Sequence, residues 1–442
     1  MVLTGGLGGA GLRESAAALR AGRLSAQAYC EGLLDRIRER DPQVQAWAAL
    51  DEGRALALAQ ACDVKRGAGA ALGTLHGIPV GVKDIIDTAD LPTQMGSPVF
   101  AGHQPVRNAP VVDRLLAAGA YVLGKTVTTE FAFLHPGKTR NPWHPAHTPG
   151  GSSSGSAAAV ASGMVPAAIG TQTNGSVIRP AAFCGVVGFK PSFGLIPCAG
   201  ALQFSATLDQ MGVFTRSVAD AAAFAAALAE YGSITAEIGD ARSLPRIALL
   251  MNFPWNAAEP EAAAHLDAVR EQLRRAGASV ETLVLPADLH DAQRVHRTIM
   301  VYEGARQHAP RQARSRSAMS PVLNALIDEG LGISNADYVQ ALARSGAIHE
   351  RALELFEHCD VVASLPAPGV APARLDATGD PSFCTLWSLT GFPSITIPTG
   401  WSSGGLPFGL QLAARSGADD LLLRVAQWCE DAVAFSASPE LL

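Results

Sequence analysis

Two stretches decide how this chain is read: Gly150-Gly151-Ser152-Ser153-Ser154-Gly155-Ser156 and Gly170-Thr171-Gln172-Thr173-Asn174-Gly175-Ser176-Val177-Ile178-Arg179-Pro180. Both concentrate small hydroxyl residues in glycine-rich loops, and an alanine-rich segment joins them. Glycine lets backbone N–H groups approach a ligand closely. Successive N–H groups in such a loop form a concavity that holds negative charge. A carbonyl that turns anionic during reaction needs donors fixed in this way, and a serine in the same loop could attack that carbonyl. Neither loop contains a histidine or a glutamate, so the base must come from elsewhere.

Working outward, Gly77-Ile78-Pro79-Val80-Gly81-Val82-Lys83-Asp84 offers a candidate. Lys83 follows a short apolar run with the character of a buried strand. Desolvation lowers a lysine's pKa, and a neutral lysine is a competent general base. The alternative is an ordinary strand-end lysine paired with Asp84 or Asp87.

The surrounding chain alternates short strands and helices, which argues for the α/β class. Helices are expected over 12–21, from a Ser25 cap to about Arg40, over 51–65, 111–118, 157–162 and 259–276. Strands are expected over 44–50, 78–82, 121–123, 166–170, 247–251, 279–285, 360–364 and 394–397, with 285–380 mainly helical. Asp41-Pro42 should end the second helix, and the Pro, Gly and Ser density of 139–156 reads as loop. Residues 6–11 match a dinucleotide-binding fingerprint, but no strand precedes them, so the match lacks its context.

Composition narrows the function. The 442 residues are 48% hydrophobic and 17% charged, with a formal net charge of −6. That suits a large core and gives no basic footprint for nucleic acid; the arginines between Arg306 and Arg316 read as a solvated helix face. Seven scattered cysteines without a Cys-x-x-Cys argue against a disulfide framework or a zinc site. No metal and no cofactor are expected. No signal peptide and no apolar run long enough to span a membrane are apparent, so a soluble cytoplasmic enzyme is the expectation.

The order and content of these blocks resemble the amidase signature family. Residues 77–84, 150–156, 170–178 and Lys190-Pro191-Ser192-Phe193-Gly194 match its successive motifs. Weaker similarity runs from about Arg13 to Ala432, including Gly391-Phe392-Pro393 and 405–411. The resemblance implies a single large domain over 11–435, behind a flexible leader at 1–10, with a mixed, twisted β-sheet covered by helices on both faces. It implies Ser176 as the acylated nucleophile, Ser152 as a bridging serine in a cis peptide, and Lys83 as the base. The N–H groups of Thr173, Asn174, Gly175 and Ser176 would form the oxyanion hole. The family's usual aspartate and first glycine are Gln172 and Asn174 here. Its usual arginine two residues after the nucleophile is Ile178, and Arg179 follows instead. That variant resembles a malonamidase-like branch, in which the shifted arginine would meet a substrate carboxylate; its fork pairs bidentately with such groups. The other reading of Arg179 is a structural one. Arg179, Ser153 and Gln172 are the candidate substrate contacts. Pocket walls are expected from Phe131–His135, Trp143–His147, Phe253–Trp255 and Phe383–Trp387.

The expected partner is a small amide or carbamate, and a homodimer is possible among relatives of this type. The same triad would serve amides, esters and urethanes. Two rivals stand beside this reading. Gly151-Ser152-Ser153-Ser154-Gly155 fits a nucleophile elbow, with His135, His144 or His147 as base, but 141–149 cannot form the strand that motif needs. An amidotransferase A-type subunit would share fold and triad while working in a complex.

Overall fold

The computed structural model describes residues 10–230, 234–239 and 244–437. Most of the expected leader and of the glycine-rich match at 6–11 lies outside them. Strands β1 (Trp47–Leu50), β2 (Pro79–Lys83), β3 (Tyr121–Thr126), β4 (Ala167–Gln172), β5 (Val187–Lys190), β6 (Gln210–Thr215), β7 (Arg246–Leu249), β8 (Ser279–Thr282), β9 (Val361–Ser364), β10 (Ser394–Trp401) and β11 (Pro407–Ala413) form one sheet. Their order is β1-β3-β2-β4-β6-β5-β10-β11-β9-β7-β8. The sheet is mixed: β2 runs parallel to both β3 and β4, whereas β4 runs antiparallel to β6.

Helices α1 (Leu12–Arg20), α2 (Ala26–Val44), α3 (Glu52–Gly67), α4 (Pro110–Ala117), α5 (Ser154–Ala161), α6 (Ile178–Cys184) and α7 (Val218–Leu228) accompany the first half. The second half carries α8 (Pro260–Arg275), α9 (Ala292–Ser315), α10 (Pro321–Gly332), α11 (Asn335–Leu353), α12 (Thr385–Leu389) and α13 (Asp419–Val433). The chain is thus an α/β single domain; among the described residues its main apolar core runs from Leu12 to Val433, beside a small cluster of Phe183, Ala367, Ala371 and Leu406.

Three differences from the sequence reading have local causes. Helix α2 does not stop at Pro42 but includes it and runs to Val44. A proline this near the end removes few intrahelical bonds; the stop comes from Gln45, whose left-handed φ of 54° lets its N–H reach the Asp41 carbonyl. Helix α5 begins at Ser154, so Gly155 and Ser156, read as loop, are helical. A Cβ on Gly155 would sit 2.3 Å from the Ala46 carbonyl oxygen and the Val127 nitrogen, so its glycine serves close packing of the helix on neighbouring backbone. Strands β5, β6 and β11 have no counterpart in the sequence reading; each is short and buried throughout, which erases the alternation that marks half-buried strands.

Candidate active site

Lys83 ends β2, an interior strand, and its side chain has no solvent exposure. Its Nζ lies 2.7 Å from Ser152 Oγ and 2.8 Å from Thr171 Oγ1. Among the described residues no carboxylate forms an ion pair with it. Burial therefore lowers its pKa to about 7, opposed by the field of Asp209. Lys125 on β3 provides the contrast. Its Nζ lies 3.7 Å from Asp84 and bonds the Ile86 carbonyl at 2.7 Å and Thr93 Oγ1 at 2.6 Å. Asp84, a sequence candidate for pairing with Lys83, is instead committed to Lys125.

Ser152 enters through a cis Gly151–Ser152 peptide bond. The preceding Gly150 has φ +82°, and a Cβ there would meet Pro180 Cα at 2.7 Å, so the loop can lie against the start of α6 only with glycine. Ser153, expected beside substrate, is fully buried, and its hydroxyl is spent on Thr171: it donates to the carbonyl at 3.1 Å and accepts the N–H at 3.3 Å. This stitches the entry of α5 to the end of β4. It also explains Gly170, where a Cβ would lie 2.6 Å from Ser153 Oγ.

The loop between β4 and α6 carries Ser176. Gln172, also expected beside substrate, points inward instead. Its Oε1 accepts the N–H groups of Val177 at 2.8 Å and Ile178 at 3.0 Å, and its Nε2 donates to Ser388 Oγ at 3.0 Å. Ser388 Oγ in turn donates to the Asn174 carbonyl. Thr385 Oγ1 donates to Asn174 Oδ1 at 2.9 Å, and Thr173 Oγ1 donates to Asp209 Oδ1 at 2.6 Å. The loop is thus tied through side chains and carbonyls. The N–H groups of Thr173, Asn174, Gly175 and Ser176 have no protein acceptor among the described residues. Nor does the Ser176 hydroxyl have a side-chain bond there. Four free donors in sequence, next to a free hydroxyl, can receive a developing negative charge.

Ser176, Asn174, Gly175 and Arg179 line a cavity of about 320 Å³. Arg179 is 3% exposed. One Nη2 donates to the Gly151 carbonyl at 2.7 Å and to Thr378 Oγ1 at 3.1 Å, while Nε and Nη1 have no partner. Burial lowers its pKa to about 10, so it remains a cation at neutral pH. His296 borders the same cavity and bonds the Thr173 carbonyl at 3.0 Å; burial lowers its pKa to about 4 and keeps it neutral.

Of the four expected pocket walls only the first contributes, through Ala132, Phe133 and Leu134. Trp143 donates to the Cys184 carbonyl at 2.8 Å and packs on Trp401. Phe253 packs on Trp255 and Phe383, and Trp387 lies in the core. Phe133 and Phe204, stacked with ring centroids 5.3 Å apart, are the aromatic residues that line the Ser176 cavity among the described residues, with His296 beside them. Residues missed by sequence are Thr171, Asp209, His296, Thr378, Ser388 and Phe204. Only Thr171 lies inside a quoted motif; the others lie 28 to 212 positions from Ser176 and carry no pattern of their own. Among the described residues no group of three or more histidine, cysteine, aspartate or glutamate side chains could hold a metal, and no helix is long and apolar enough to cross a membrane.

A family profile described as Amidase matches residues 28–423. The chain is 35% identical to the A-type subunit of the glutamyl-tRNA(Gln) amidotransferase of Chloroflexus aggregans, over 92% of this chain and 93% of that one. A crystal structure of an amidase superposes with a TM-score of 0.87 at 30% identity, covering 95% of this chain and 99% of the other. The peptide amidase of Stenotrophomonas maltophilia superposes with a TM-score of 0.83 at 30% identity, covering 97% and 98%.

Proposed function

The chain belongs to the amidase family, the amidase signature hydrolases, and on that premise we propose that it cleaves small amides through an acyl-enzyme on Ser176. The observation that carries this is the buried Lys83 Nζ, 2.7 Å from Ser152 Oγ and free of any carboxylate partner among the described residues. Neutral Lys83 takes the Ser152 proton, and Ser152 takes that of Ser176 as Ser176 attacks the carbonyl. The Thr173–Ser176 N–H groups receive the oxyanion. When the tetrahedral adduct collapses, the C–N bond breaks and its electron pair stays on nitrogen. The proton returns to that nitrogen through Ser152. Water then repeats the relay on the ester. Positioned proton transfer of this kind contributes about 10² to 10⁴ in rate.

The finer reading concerns Arg179. A buried cation with two unpartnered nitrogens, in the wall of the cavity that holds Ser176, suits an acyl group bearing a carboxylate. The test is a panel of malonamate, neutral aryl amides, p-nitrophenyl esters and aryl carbamates, with Arg179→Ala and Ser176→Ala alongside. Ser176→Ala should abolish the acyl-enzyme mass adduct. Arg179→Ala should lower kcat/KM on malonamate by about 10² more than on neutral substrates, since removing one partner of a desolvated charge pair costs ~2–5 kcal/mol. Equal loss on every substrate would reduce Arg179 to a brace for Gly151 and Thr378. Turnover of the carbamates would extend the activity to urethanes.

A second reading has its own support in the 35% identity to a component of an amidotransferase. In that case the purified chain would leave every amide in the panel untouched and would co-purify with partner subunits.

A further inference from the structure

Thr173, Phe204 and Ala132 line both the Ser176 cavity and a second cavity of about 460 Å³. Resting on the triad reading above, we propose that this second cavity receives the leaving amine, and that the amine it fits carries an apolar body.

Three observations support it. First, the departing nitrogen must lie on the side of the group that returns its proton. That group, Ser152, shares Lys83 Nζ with Thr171, at 2.7 Å and 2.8 Å respectively, and Thr171 lines the second cavity and not the first. Second, the two cavities carry opposite charge. Arg179 lines the Ser176 side and Asp209 the other, so a carboxylate would lodge in one and an ammonium in the other. Asp209 Oδ1 accepts from Thr173 Oγ1, and Oδ2 accepts the N–H groups of Phe204 at 2.7 Å and Ser205 at 3.0 Å. A carboxylate has about four acceptor positions, so one remains for an amine. Burial raises the Asp209 carboxyl to about 6, which leaves it mostly ionised at neutral pH. Third, Ile85, Ile196, Leu202 and Phe204 supply apolar lining. The volume lies within the ~300–1,000 Å³ of small-molecule sites and exceeds what ammonia needs.

The experiment uses two probes on the full chain, so that it does not depend on turnover. Benzylamine and malonate are titrated by calorimetry into wild type, Ala206→Trp, Ala199→Trp and Arg179→Ala. Ala206 and Ala199 are exposed residues of the second cavity's lining, so either tryptophan should fill its mouth without burdening the core. Benzylamine should bind wild type and Arg179→Ala alike and weaken tenfold or more in the tryptophan variants. Malonate should show the reverse dependence. The assignment is overturned if benzylamine fails to bind wild type, if neither tryptophan weakens it, or if Arg179→Ala weakens it as much as they do. Loss of the malonate arm alone would sink the carboxylate reading of Arg179 and leave the amine site standing. Absence of any acyl-enzyme would sink the triad reading.

Discussion

Replacing Lys83 with methionine tests the electrical state of the base without any substrate. Methionine keeps an unbranched chain in the same buried position but cannot titrate. In the unfolded chain Lys83 holds its proton up to about pH 10.5, and in the fold only to about 7. Between these values unfolding takes up one proton, so raising the pH stabilises the wild-type fold by ~1.4 kcal/mol per unit through this group alone. The accumulated difference across that window, at ~1.36 kcal/mol for each pKa unit, is on the order of 4–5 kcal/mol. Below pH 7 both states are protonated and the full penalty persists unchanged. Lys83→Met lacks this term, so its stability relative to wild type should be greatest at pH 7 and below and should shrink steadily toward pH 10. Loss of bonds to Ser152 and Thr171 shifts the whole difference by a constant and does not alter its slope. Other buried groups, including Lys190 at about 7 and Lys125 at about 8, titrate in both proteins and cancel in the comparison. The assay is denaturant unfolding of both proteins at pH 6.5, 8 and 9.5. A difference between them that stays flat across this range would mean that Lys83 keeps its ordinary pKa, and the proposed base would be charged when it is needed.

Other perturbations separate the remaining parts. Asp209→Asn removes the anion that favours charged Lys83; the acid limb of kcat/KM, set near pH 7 by Lys83, should move to lower pH, and a move upward would reverse the assigned field. Gln172→Glu keeps the acceptor for Val177 and Ile178 but loses the donor to Ser388 and brings a negative charge under the oxyanion loop. It should lower kcat by about 10–10² with little change in KM, on the scale of a disturbed oxyanion donor, whereas a merely unstable protein would lose active fraction and thermal midpoint together. Ser388→Ala, which frees the Asn174 carbonyl without adding charge, should show a smaller fall in the same direction.

The legible part of the molecule was the part written in runs of neighbouring residues. Glycine and serine density marked both serine-bearing segments, and the apolar run ending at Lys83 marked a buried lysine 69 positions from Ser152 that the fold brings within 2.7 Å. What stayed illegible depends on distant partners. Asp209, Ser388 and Thr378 are unremarkable polar residues in sequence; their roles exist only because β6, α12 and the 366–384 segment pack against β4 and α6. The aromatic residues misled for a related reason. Trp143, Phe253 and Trp387 have the composition of a pocket wall, but their ring areas are more favourably buried against Trp401, Phe383 and the core than left beside a cavity. Ser153 and Gln172 sit in the right motif, yet their polar atoms are consumed by backbone groups that the turn itself would otherwise leave unpaired.

Charge placement gives these details one logic. Beneath the Thr173–Ser176 loop the chain has Gln172 and Ser388, both neutral, where the family pattern has an aspartate at position 172. The carboxylate that does approach the loop, Asp209, is held from the Thr173 side chain and two backbone N–H groups. It lines the cavity shared with Thr171, the partner of Lys83, whereas the cation Arg179 lines the cavity of Ser176. In the proposed relay, a negative group on the side of Lys83 would keep it from losing so much proton affinity that it could no longer deprotonate a serine, and a positive group on the side of Ser176 would favour the charge that attack creates. Exchanging the two signs, as in Asp209→Lys with Arg179→Glu, would oppose both steps at once, so the double variant should fall below detectable turnover even if it folds with an unchanged circular dichroism spectrum.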